Sequence, residues 1–154
     1  MDRIKYLKQG ELAIVSGEMK VFTILGSCVA VVLWDEGSKI GGVNHFLLPY
    51  WNNKGLPDVR YGDIAITELH DKVILAGAVK RRIVAKIYGG ASMLNLDKAV
   101  FNVGQRNIDV AKLKLTELQV SIVEEITAGS LGRKILFNPF DGNVKVDLIQ
   151  NIRF

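Results

Sequence analysis

Residues 29–33, VAVVL, are apolar at every position. A strand of that composition buries both of its faces and has to be covered twice, once on each side. Two packed layers cannot do this, so the run predicts the middle of a layered sandwich. Strand patterns crowd the front of the chain, over residues 11–15, 21–25, 29–34 and 40–48, punctuated by Ser16-Gly17 and Glu36-Gly37. Helical spacing follows over 63–80, where Ile64, Leu69 and Val73 recur and Asp63 stands at the N-cap position. A short strand over 83–88 ends in Gly89-Gly90. A second helix over 104–118 aligns Ile108, Ala111, Leu115 and Leu118 on one face. A strand over 120–126 and a closing hairpin turned at Asp141-Gly142 complete the pattern. The stretch YWNNKGLPDVRYGD reads as a surface loop beside the 40–48 strand. With no repeat, linker or low-complexity segment, residues 1–154 are expected to form one α/β domain.

Composition removes several classes of function. Hydrophobic residues make up 49% of the chain, yet no run approaches the ~18 apolar residues that suggest a membrane span. The start, MDRIKYLKQGELAIV, lacks a secretory pattern, and a lone cysteine cannot form an internal disulfide, so a cytoplasmic location is expected. The formal charge of +4 is spread along the chain, and its densest cluster, Lys80-Arg81-Arg82, reads as a solvated helix end rather than a nucleic-acid face. One cysteine and two distant histidines lack the clustered spacing of a metal site, so no metal is expected.

That cysteine, Cys28, and one of the histidines, His45, lie on two successive strand patterns joined by a turn near Glu36-Gly37. A turn of two or four residues centred there pairs Trp34 with Lys39, and the same register carried backward sets Cys28 directly opposite His45. Cross-strand partners have Cβ atoms about 4.5–5.5 Å apart, close enough for an imidazole to take a thiol proton. Each residue also has a plainer reading. A buried lone cysteine is usually a small hydrophobe, and His45 could be a satisfied core histidine. Gly26-Ser27 before the cysteine favours the chemical reading, since the Ser27 and Cys28 amides could hold an oxyanion. An apolar strand raises a thiol's pKa unless a cationic imidazole compensates. His70 is the competing base, but Glu68, Asp71 and Lys72 around it mark a solvated helix face. Thr23 is the nearest group able to orient an imidazole, or else ordinary strand filler. Gly89-Gly90-Ala91-Ser92 could cradle an anion or simply turn the chain.

The runs LGSCVAVVLWD, KIGGVNHFLLP, YGD, AKIYGGASM, VGQRN and LGRKILF occur in that order. In order and spacing they resemble the CheD family of chemoreceptor glutamine deamidases. GSCV with a histidine 17 positions after its cysteine is the most specific element. The resemblance implies an αββ sandwich, two β-sheets with helices packed on one side. It further implies a protein-glutamine glutaminase that hydrolyses glutamine side chains on the cytoplasmic helices of methyl-accepting chemotaxis receptors, without a cofactor. The roles of nucleophile, base and orienting group then fall on Cys28, His45 and Thr23. A CheC-type phosphatase is the implied regulatory partner, and receptor methylesterase action is credited to some relatives. Two other readings are a noncatalytic adaptor for receptors or CheC, which an intact Cys28/His45 pair opposes, and a small-molecule cysteine amidase.

Overall fold

In the computed structural model, which describes residues 3–92 and 102–150, the VAVVL run lies inside strand β4 (Val29–Asp35) and is covered on both sides. Its odd residues Val29, Val31 and Leu33 pack against two helices, while Ala30 and Val32 face a second sheet. The five-stranded sheet to which β4 belongs runs β2 (Leu12–Ser16), β5 (Ile40–Asn44), β4, β6 (Ile83–Gly89) and β7 (Ser121–Thr127). The four-stranded sheet runs β1 (Arg3–Tyr6), β3 (Met19–Leu25), β8 (Gly132–Phe137) and β9 (Val144–Ile149). Helices α1 (Gly62–Leu75) and α2 (Val103–Glu117) cover only the outer face of the five-stranded sheet. This is the expected αββ sandwich. Among the described residues no helix is long and apolar enough to cross a membrane.

Two glycines in the middle of β5 let the three layers close. A Cβ on Gly41 would stand 2.6 Å from the Phe137 ring of the other sheet, and one on Gly42 would stand 2.7 Å from Leu69 of α1. Glycine in a strand marks such close approach.

The β4–β5 hairpin departs from the expected register. Trp34 pairs with Gly41 and Asp35 with Ile40, leaving residues 36–39 as the loop, so the expected Trp34–Lys39 pairing is wrong by two residues. Lys39 takes the left-handed conformation at φ 58°, and its amide returns to Asp35 O at 2.9 Å. The Asp35 carboxylate holds this wider turn by accepting from Gly37 N and Ser38 Oγ, and it forms a two-pronged pair with Arg82 at 2.9 Å. Burial alone would raise its pKa, but these donors, Arg82 foremost, together with Val79 N, hold it well below the usual carboxylate range.

Other boundaries moved for local reasons. Helix α1 stops at Leu75 instead of residue 80 because Gly77, at φ 123°, closes a Schellman motif: Gly77 N donates to Ile74 O and Ala78 N to Val73 O. Asp63 is not the N-cap; Tyr61 occupies that position, and Asp63 Oδ1 instead accepts from the Trp51 and Ile64 amides. Strand β1 alternates polar and apolar residues (Arg3, Ile4, Lys5, Tyr6) but is only four residues long and exposed, too short a pattern to single out, and it forms by parallel pairing with β3.

Candidate active site

Cys28 sits where the chain crosses from one sheet to the other, between the end of β3 and the start of β4. Ser27 beside it is exposed, Cys28 is half-buried, and its side chain packs against the core between the sheets. Three backbone bonds fix the crossing. Ala91 N donates to Gly26 O at 2.9 Å, Gly90 N to Cys28 O at 2.9 Å, and Val29 N to Phe46 O at 3.2 Å. The Gly90 and Ala91 amides are therefore spent on the cysteine segment, which rules out the anion cradle. Met93, which ends the AKIYGGASM run, lies outside the described residues.

His45 follows β5, which ends at Asn44 rather than continuing to residue 48. Asn44 Oδ1 takes the Val31 amide at 2.8 Å, so a side chain replaces the next backbone acceptor of the ladder. The His45 backbone bonds instead to residues ahead of β2, with its amide on Glu11 O at 3.0 Å and its carbonyl accepting from Gly10 N at 2.8 Å. The ladder resumes at Val29–Phe46. Extended by one residue it sets Cys28 opposite Leu47, so Cys28 and His45 are diagonal neighbours and not direct partners. Diagonal positions lie about 7–8 Å apart. An error of two residues preserves the face, because side chains alternate with period two. No hydrogen bond joins Sγ to the ring in this state.

Thr23 lies on the inner face of the other sheet, and its hydroxyl reaches across to His45 Nδ1 at 2.7 Å. The same hydroxyl donates to Leu7 O at 2.9 Å. A hydroxyl has a single proton and the Leu7 carbonyl can only accept, so the proton goes there and Nδ1 is the donor to Thr23. Nε2 then carries the lone pair. It is buried and, among the described residues, has no hydrogen-bond partner. Thr23 and His45 are 1% and 2% exposed. Burial pushes the His45 pKa down to about 4, and it pushes the Cys28 thiol up to about 11 against a smaller opposing pull from its own amide. The resting pair at neutral pH is therefore a thiol and a neutral imidazole, and no cationic imidazole compensates the thiol.

His70 is not solvated as its neighbours in sequence suggested. It is 3% exposed, on the face of α1 that carries Ile66, Leu69 and Val73 inward. Burial, aided by Lys80 and opposed by Asp71, lowers its pKa. The loop over 50–60 does lie beside the histidine segment, with Leu47 N on Arg60 O at 2.8 Å and Leu48 bridged to Tyr61. Arg133 of the late GR pair stands opposite Leu25 on β8, buried, and its Nη2 donates to Ala128 O at 2.6 Å. Asn107 was not anticipated. It is fully buried on α2 and its Nδ2 donates to Ser27 O and Leu47 O. An asparagine inside the apolar stripe of Gly104, Ile108, Ala111 and Leu115 was the available signal, since buried polar groups need partners. Among the described residues no cluster of His, Cys, Asp or Glu could hold a metal.

A sequence model of the family described as "CheD chemotactic sensory transduction" matches residues 47–148 of this chain. The chain belongs to the CheD family. It is similar to the probable chemoreceptor glutamine deamidase CheD of Trichlorobacter lovleyi, with 42% identity over 90% of this chain and 86% of the relative. Proteins of the same description from Sulfurimonas denitrificans and Methanococcus vannielii are 39% and 36% identical. The first alignment covers 97% of both chains; the second covers 91% of this chain and 92% of the relative. The CheD match begins two residues after His45, so the arrangement of Cys28, His45 and Thr23 rests on the geometry itself.

Proposed function

We propose that this chain is a protein-glutamine deamidase that converts glutamine side chains of chemoreceptors to glutamate, with Cys28 as nucleophile, His45 as base and Thr23 as the group that orients it. The observation that carries the reading is the Thr23–His45 bond. It leaves a buried Nε2 lone pair, unpartnered among the described residues, in the same inter-sheet layer as the only cysteine, within a family whose relatives bear the deamidase description.

The chemistry starts from neutral partners. As Sγ attacks the carboxamide carbon, His45 Nε2 takes the thiol proton, and the carbonyl oxygen gains charge toward the Ser27 and Cys28 amides. Collapse of the tetrahedral species breaks the C–N bond, and the imidazolium returns its proton to the departing ammonia. Water, deprotonated by His45, then attacks the thioester and releases the carboxylate and the thiol. The balance is glutamine plus water to glutamate plus ammonia. Sγ and Nε2 are not hydrogen-bonded to each other at rest, and catalytic contacts are often loose before substrate binds.

The substrate glutamines belong to cytoplasmic receptor helices, so the reaction takes place in the cytoplasm. The regulatory partner in this reading is a CheC-type phosphatase, supported by the family resemblance. Intact-mass analysis of receptor cytoplasmic fragments tests the function, because amide hydrolysis adds about 1 Da per site. Cys28→Ala should abolish that gain while costing only ~1 kcal/mol of stability for the lost sulfur. Unchanged turnover in Cys28→Ala would sink the mechanism.

A further inference from the structure

Asn107 touches neither Cys28 nor His45 through a side-chain hydrogen bond, yet it fastens the segments that carry them. Its Nδ2 donates at 3.1 Å to the carbonyl of Ser27, the residue before the cysteine, and at 3.0 Å to that of Leu47, two residues after the histidine. Both partners are carbonyl oxygens, so the amide nitrogen must face them and both of its hydrogens are used. Among the described residues Oδ1 is left buried without a partner. Buried side-chain acceptors without a partner are rare in folded proteins.

The consequence is directional. In a trans peptide the C=O and the following N–H point opposite ways. Tying Ser27 O to α2 turns the Cys28 N–H away from α2, toward the thiol of its own residue, and that amide is the group that pulls against the burial of Sγ. The preceding peptide is treated alike: Ala91 N holds Gly26 O at 2.9 Å, which turns the Ser27 N–H away from the Gly90-Ala91 segment. Among the described residues neither N–H has a backbone oxygen acceptor, and that of Cys28 meets only its own Sγ. Two adjacent amides, each aimed by a pinned carbonyl behind it, are what a developing oxyanion needs.

We infer that Asn107 is a positioning residue of the deamidation, holding the Ser27–Cys28 peptide so that its N–H meets the oxyanion of the tetrahedral intermediate. This rests on the deamidase reading given above. A side chain that merely stabilised the fold would affect every reaction of Cys28 alike. One that aims an oxyanion donor acts chiefly on reactions that form an oxyanion; alkylation by iodoacetamide, a displacement at saturated carbon, forms none and feels that amide only through its minor pull on the thiol.

The test compares the full chain with Asn107→Leu and Asn107→Ser for deamidation of receptor fragments and for iodoacetamide alkylation, with thermal melting as the check on folding. The expected result is a fall in kcat of about 10- to 1,000-fold with KM changed less than about 3-fold. Alkylation should stay within about 2-fold of the parent chain. Serine reaches neither carbonyl pair fully and does not crowd them, so it decides the matter if the leucine variant does not fold. Preserved kcat, or a parallel loss of turnover and alkylation, overturns the inference. If the parent chain releases no ammonia from receptor fragments, the deamidase reading fails separately. A peptide aldehyde then serves as the probe, because its hemithioacetal with Cys28 carries the same oxyanion. Weakening of its binding by about 10-fold or more in Asn107→Ser supports the inference. Equal binding, or none to the parent chain, overturns it.

Discussion

The resting state of the cysteine gives the sharpest prediction. Burial raises the Cys28 thiol from its ordinary 9.0 to about 11, and His45, held neutral down to about 4, supplies no positive charge to oppose it. At neutral pH the thiolate fraction should fall about 100-fold below that of an ordinary cysteine. A more basic thiolate is also more nucleophilic, which recovers roughly 6- to 10-fold. The net expectation is iodoacetamide alkylation about 10-fold slower than that of a free cysteine at pH 7. The logarithm of the rate should climb with unit slope from pH 6 to 10 and bend near 11. Replacing His45 by glutamine removes no charge from the resting site, so the curve should move less than about 3-fold, whereas deamidation should drop by roughly 100- to 10,000-fold with loss of the base. The assay is a stopped alkylation series followed by intact mass. A rate plateau between pH 5 and 8 that disappears in His45→Gln would refute the reasoning, because it would reveal a thiolate–imidazolium pair at rest.

Three further outcomes follow from the same geometry. Thr23→Val removes a hydroxyl with two buried hydrogen bonds, so it should cost about 1–3 kcal/mol of stability and lower kcat about 10- to 100-fold. Complete loss equal to that of His45→Gln, with folding preserved, would mean that the threonine does more than orient the ring. His45 has a folded pKa of about 4 against an ordinary 6.5, so the unfolded chain takes up the proton first; its contribution is fully present above 6.5 and is lost as pH falls toward 4. The gap corresponds to on the order of 3 kcal/mol, and urea unfolding at pH 7 and 4 should show that extra acid loss in the parent chain but not in His45→Gln. Gly89→Ala adds a Cβ in collision with Cys28 O at a backbone φ of 103°. A backbone oxygen cannot rotate aside, so roughly 3 kcal/mol or more of stability should go, and turnover with it; a melting temperature equal to the parent's would show that the crossing is looser than described.

The sequence alone determined the layering and the face. Five consecutive apolar residues in β4 demanded cover on both sides, and the helices and second sheet provide it. The parity of strand alternation put Cys28 and His45 on one side of the sheet even though the turn was misplaced, because the two-residue displacement imposed by Asp35 and Lys39 is even. What only the tertiary structure decided is everything that depends on distant segments meeting. Thr23 and His45 belong to different sheets, so the bond that selects the imidazole tautomer has no trace in local pattern. The charge state of the pair comes from depth of burial, and spacing along the chain carries no measure of depth. Asn107 is 80 residues from Ser27 and 60 from Leu47. Only the packing of α2 against the five-stranded sheet brings its amide to those two carbonyls, because a hydrogen bond between side chain and backbone is read from position in space and not from order in the chain.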